Sequence, residues 1–446
     1  MNFESSDNRW AKATIPSQNV QMISGLLFLV VVVGSWLARM VGFGGMATIS
    51  VFVVPLLFVG AYITLRQMTW TRVEAGFLFY SLALALALAL MALWSIDPVH
   101  SVPRAVVSSI LLGVSFLALH RFARLVLMDA RLLHALVNYG LAVFLAFLLL
   151  GYIVFPEFRG GGMGGFRLTG NVNANAAGLY SFTFLVWVAI SRSRMPEVSP
   201  GSLLLLVLAL VVLFLSFSRA SWLAAGLFYL FLFSFRLRGA NLLVIKKSSF
   251  ASAGFLVVLA FAFLAYYQGM GPAGTGLYMA YLDQRVLSGI LEDGNFQSRL
   301  VAWKIMWDGF LSSPAVGYFG WYGASQALSE SAELAGVGAS SPHSFHLRIL
   351  SEVGLFGYIL IMGAPIVAVF YAAGAAEKGR RKRFVREGRG RETKWVVVAG
   401  LLALFLGREV FEDAYMTGFL SYTTLFAVFL MACAFALGGY RSLSKE

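Results

Sequence analysis

Apolar stretches of about 20 residues recur from one end of this chain to the other. A run of that length can satisfy its own backbone inside a bilayer only as a helix. Such runs stand near 20–39, 46–65, 74–94, 103–119, 132–154, 174–190, 201–217, 221–236, 250–267, 346–372, 395–411 and 416–437. Too few polar residues remain to coat a soluble fold: 59% of the 446 residues are hydrophobic and 12% are charged, where a soluble domain carries roughly 25% charged residues. The expected fold is an all-α integral membrane protein with about 12 transmembrane helices. Val20–Leu37 is too long for a signal-peptide core and reads as a retained first helix. At Ser216–Ser221 two runs meet almost without a linker. One helix over 201–236 would overshoot a single crossing, so a tight hairpin at the membrane surface is expected.

The net charge of +13 does not point to nucleic acid, because the basic residues fall between apolar runs in alternate loops. Arg66 and Arg72, then Arg121, Arg124 and Arg131, then Arg192 and Arg194, then Arg236, Arg238, Lys246 and Lys247, and finally Lys378–Lys394 all lie on one side if the N-terminus is inside. This is the positive-inside pattern of cytoplasmic loops. It gives a cytoplasmic tail (1–19), helices 1–9 (20–266), an outer segment (267–344), helices 10–12 (345–438) and a second cytoplasmic tail (439–446). The one cysteine, Cys433, lies in an apolar run, which excludes an intramolecular disulfide and a cysteine-based zinc cluster.

Two outer segments are long. Pro156–Asn173 is glycine-rich and is expected to be a mobile loop. The 267–344 segment contains two helical patterns, Tyr281–Leu291 and Gln297–Leu311, with Asn295 as N-cap of the second. Their aromatic and aliphatic residues suit helices lying against the membrane interface.

Charged side chains on the outer side are few, and a charge near hydrocarbon is a functional hypothesis by default. Arg219 sits in Ser216-Phe217-Ser218-Arg219-Ala220-Ser221, either snorkelling to headgroups or binding phosphate through its two-pronged guanidinium. Arg299 opens an outer helix, with Arg285 on the preceding one. Each could instead pair with Glu292, Asp293 or Asp308. Ser341-Pro342-His343-Ser344-Phe345-His346 starts a long helix, and the i, i+3 spacing of the two histidines would put both imidazoles on one face. Histidine is the natural proton acceptor near neutral pH, and a His/His zinc site would need a third ligand. Arg167 and Asn175 belong to RLTGNVNAN, whose asparagines suit capping and turns as well as a polar site. Glu409, Glu412 and Asp413 end a late helix, where Arg408 can neutralise one of them. Arginines and a histidine on one face suit a substrate with a phosphate head and a lipid tail. No Asp-x-Asp pair stands in an outer loop, in keeping with a metal-free route.

From Phe166 to Leu430 the chain resembles the O-antigen ligase and polymerase superfamily of bacterial envelopes. The resemblance rests on RLTGNVNAN (Arg167–Asn175), SRASWLA (Ser218–Ala224), SRLVAWKIMWDGFLSSPAVGYF (Ser298–Phe319) and PHSFHLRILSEVGLFG (Pro342–Gly357), in that order. The family's usual His-Asn step reads His343-Ser344 here. The resemblance implies a GT-C-like fold with a periplasmic helical segment between helices 9 and 10, in the bacterial inner membrane. It implies an inverting glycosyltransferase, without metal or cofactor, that moves polysaccharide from undecaprenyl diphosphate to a sugar of lipid A–core. By the same resemblance His343 would be the general base and Arg219 and Arg299 the diphosphate binders. Arg167 and Asn175 would be lesser members. Arg285, His346 and Glu412 complete the candidate set. Polymerase and protein-glycosylating relatives use the same donor, and length and span count lean towards ligase. A transporter or flippase is the alternative of another class, but no repeated pair of broken helices is visible.

Overall fold

The computed structural model describes residues 18–40, 71–127, 130–160, 167–170, 174–195, 200–237, 294–324, 326–328, 343–377, 387–412 and 421–439. The runs expected near 46–65 and 250–267, the helix Tyr281–Leu291 and Arg285 lie outside these residues. Helices dominate: α1 (Gln18–Met40), α2 (Arg72–Ala92), α3 (Pro98–Leu127), α4 (Arg131–Val154), α5 (Ala174–Arg194), α6 (Pro200–Leu215), α7 (Arg219–Leu237), α8 (Gly294–Ser312), α9 (Phe345–Glu377), α10 (Glu387–Ala403) and α11 (Tyr422–Gly439). The end of α10 widens into a π turn, Leu404–Arg408, followed by a helical turn, Glu409–Phe411. Five of these helices are long and apolar enough to cross a membrane, and four more have shorter apolar stretches.

Burial sorts the helices into layers. In α2 a third of the apolar window is buried (33%), and Phe79, Leu82 and Leu86 stand exposed. That is a lipid-facing surface. In α5 the figure is 94%, so an all-round apolar helix is enclosed by protein rather than lipid. It packs on α6, α7 and α10. Asn138 of α4 accepts from the Trp187 indole at 2.9 Å and donates to Ser191 at 3.2 Å, which satisfies polar groups that would be costly to bury unpaired.

Several boundaries differ from the sequence reading. The first long connection holds a short helical turn, Pro156–Phe158, and a two-residue strand pair, Arg159–Gly160 with Arg167–Leu168. Phe158 is buried, and its carbonyl accepts from the Thr169 and Gly170 amides. The ends of the expected mobile loop are therefore fixed on the bundle. Helix α8 begins at Gly294, so Asn295 lies inside the helix rather than capping it. The basic run Lys378–Lys394 is not wholly loop: Glu387–Lys394 is the start of α10.

The long span from 345 is also broken. At Gly354 the backbone turns to φ 65°, ψ −170°, a conformation open chiefly to glycine. The break exposes helix amides and carbonyls, and the Ser313–Gly320 connection takes them up. Leu355 and Phe356 amides donate to the carbonyls of Pro314 and Ala315, while Tyr318 and Gly320 amides donate to those of Ser351 and Glu352. A Cβ on Gly354 would lie 2.4 Å from the Ala315 carbonyl carbon, and one on Gly317 would lie 2.3 Å from that of Glu352. SSPAVGYF and SEVGLFG therefore interlock as one backbone clasp. Just beyond it Tyr322 is half-buried under the Arg348 guanidinium, and desolvation pushes its hydroxyl pKa up to about 12.

Candidate functional site

At Ser216–Ser218 the chain reverses between α6 and α7, as the hairpin reading expects. The Ser216 hydroxyl donates to the Leu213 carbonyl and accepts from the Ser218 amide, and the Trp222 indole also donates to Leu213. These bonds satisfy the end of α6 while Phe217 takes φ 49°. The turn sits on Gly178 of α5, where a Cβ would lie 2.6 Å from Ser218 and 2.9 Å from the Ser216 and Ser221 hydroxyls. Gly178 is one helical turn from Asn175.

Arg219 is the first residue of α7, at the positive end of the helix dipole. That is a poor place for a cation but a favourable one for an anion. Helix α7 runs antiparallel to α10: Phe235 lies beside Trp395 with ring centroids 4.4 Å apart, and Gly407 packs on Ala224. Arg219 lies five residues before Ala224 and Glu412 five residues after Gly407. The two therefore belong to the same end of the bundle.

Glu412 is the meeting point of the other candidates. Asn175 Nδ2 donates to its Oε1 at 2.8 Å. The Phe345 amide, two residues after His343, donates to its backbone carbonyl at 3.1 Å. Arg299, in the second turn of α8, donates through Nη1 to the Phe411 carbonyl at 3.1 Å, and its Nη2 stands 3.7 Å from Glu412 Oε1. The Trp303 ring lies beside Phe411, centroids 6.1 Å apart. Arg408 donates to Glu409 at 2.7 Å in a buried pair.

The two histidines do not share a helical face. His343 precedes α9 with φ 49°, so helical spacing does not govern it. His346 lies within the helix. Its Nε2 is 2.9 Å from the Phe405 carbonyl, which can only accept, so Nε2 carries the proton and Nδ1 accepts from the Tyr358 hydroxyl at 2.9 Å. Phe405 belongs to the π turn. Both nitrogens of His346 are thus occupied in orienting bonds. Among the described residues no three His, Cys, Asp or Glu side chains are grouped to hold a metal ion. Arg167 is on the short strand pair, its backbone opposite Gly160.

Asn175, Arg299, His343 and Glu412 are thus brought to one locality, with Arg219 at the same end of the bundle. Sequence reading missed the Phe411 and Phe405 carbonyls as partners, because a backbone acceptor has no residue signature. The cluster lies at the ends of α5, α9 and α10 opposite their basic ends: α5 closes with Arg192 and Arg194, and the basic run Lys378–Lys394 follows α9 in sequence and runs into the start of α10.

Fold and site together define a class: a multi-pass helical membrane protein with a polar, arginine-bearing site where its helices end. Residues 204–362 match the family model described as O-antigen ligase, so the chain is similar to that family over this segment. The match takes in Arg219, Arg299, His343 and His346, and within 204–362 it bears out the resemblance drawn from the sequence; the Arg167–Asn175 motif lies outside it. A search of curated proteins finds no match.

Proposed function

We propose that this chain transfers a glycan from a polyprenyl diphosphate carrier to a sugar hydroxyl, on the membrane face opposite its basic helix ends. The observation that carries the reading is the convergence on Glu412 of α5, α8 and the start of α9, which gathers a histidine and an arginine at one end of the bundle. His343 takes the proton of the acceptor hydroxyl. The hydroxyl oxygen attacks the anomeric carbon, and the carbon–oxygen bond to the diphosphate breaks with inversion. The departing diphosphate carries its charge to Arg219 and Arg299, whose guanidinium groups suit paired phosphate oxygens. Asn175 and Glu412 hold this arrangement, Arg167 and Arg285 are lesser candidates, and the bonds of His346 suit a positioning role. No metal or cofactor is required by this route.

In the fullest form of the proposal the protein is an O-antigen ligase of the bacterial inner membrane. It has about 12 spans and a GT-C-like fold, and its 267–344 segment is periplasmic. The donor glycan is carried on undecaprenyl diphosphate and the acceptor is a lipid A–core sugar. A polymerase would share the donor and differ in acceptor. The test is purified His343→Ala protein given a lipid-diphosphate glycan and candidate acceptors, with products weighed by mass. Transfer should fall by about 100-fold or more, the usual contribution of a general base, while carrier binding persists. Full activity in that variant would remove His343 from the mechanism.

A further inference from the structure

Glu412 reaches two partners with one oxygen, and only one of the two contacts is a hydrogen bond. Asn175 holds Oε1 at 2.8 Å, whereas Arg299 stays 3.7 Å away, beyond hydrogen-bond range. Arg299 has five N–H donors. Among the described residues it makes one hydrogen bond, to the neutral carbonyl of Phe411. Its side chain is 23% exposed and that of Glu412 is 11% exposed. A guanidinium held this loosely beside a carboxylate that another residue has oriented is a cation already facing an anion, without being locked to it.

We infer that Glu412 is a placeholder for a phosphate group of the substrate. It occupies the anionic position beside Arg299 and gives that arginine up when a diphosphate arrives. The inference rests on the donor reading above. A diphosphate offers several oxygens and more negative charge than one carboxylate, so it can engage Arg299 in the two-pronged geometry that Glu412 does not achieve. Asn175 keeps Glu412 in place during the exchange, because an amide donor does not depend on the arginine. When the diphosphate leaves, the carboxylate again faces the guanidinium. Glu412 therefore acts as a positioning residue and as a competitor, and its charge should weaken phosphate binding.

That sign separates the idea from a purely structural role. Glu412→Gln keeps the shape and the acceptor for Asn175 but removes the competing charge. The protein should then bind inorganic pyrophosphate and a short polyprenyl diphosphate more tightly, by about 3- to 10-fold, a typical coupling between charged neighbours. Glu412→Asp, which keeps the charge, should stay within about twofold of the natural chain. In an Arg299→Gln background the Glu412→Gln gain should vanish. Thermal unfolding of each variant in detergent checks that it is folded. Unchanged or weaker binding in folded Glu412→Gln protein, or a gain that survives without Arg299, overturns the placeholder role while leaving the donor reading standing. Failure of the natural chain to bind either probe overturns both.

Discussion

At Arg219 the local chemistry supports the proposed phosphate binding over a simple headgroup anchor. The residue opens α7 on a turn whose serine hydroxyls are already spent on helix ends and on each other. It stands at a helix N-terminus, where a cation costs stability and an anion gains it. Replacing it with Lys keeps the charge and loses the fork. In the purified protein the Kd for a polyprenyl diphosphate should rise about tenfold, the loss of one charge-assisted hydrogen bond. An unchanged Kd would return Arg219 to the role of lipid anchor. His346 shows how spacing misleads at this scale. The i, i+3 relation assumes a continuous helix, but His343 lies before the helix begins, with a left-handed backbone.

At the scale of elements, the broken helix α9 and the Ser313–Gly320 connection make one unit. The family resemblance ran through both segments, yet what they share is backbone exchange rather than chemistry. Gly354→Ala forces a side chain into φ 65° and drives its Cβ to 2.4 Å from the Ala315 carbonyl carbon. The cost is about 2 kcal/mol or more, visible as a lower unfolding midpoint in detergent. Gly226→Ala is the control, since a Cβ there meets nothing within 4 Å, and its midpoint should hold. If the two variants unfold alike, the clasp does not stabilise the fold. The π turn in α10 was equally illegible beforehand, because LFLGR reads as ordinary helix. Its widened turn depends on what packs beside it, namely His346 and Ala224.

For the whole molecule the sharpest claim is sidedness. The chain's one cysteine, Cys433, is buried, so single cysteines placed elsewhere can be labelled without background. Glu157→Cys, exposed at the end of the bundle that holds the site, should react with a membrane-impermeant reagent from outside intact spheroplasts. Arg72→Cys, exposed at the start of α2 near the basic ends, should react only after permeabilisation. Reaction of both from the same side would overturn the outer-face assignment and with it the proposed chemistry.

Sequence alone determined the solvent. Hydrophobic runs of bilayer length and basic residues concentrated in alternate loops point to lipid and to an expected membrane sidedness, and each is local to a segment. It also made Arg219, Arg299, His343 and Glu412 conspicuous, because charges are scarce in such a chain. Which of them meet was decided by tertiary structure. Asn175 and Glu412 are more than 200 residues apart in the chain, and their contact follows from the packing of α5 against α10. Arg299 and His346 each find a backbone carbonyl, that of Phe411 at a helix end and that of Phe405 in the π turn. Such acceptors exist at every residue, so only the fold can select among them.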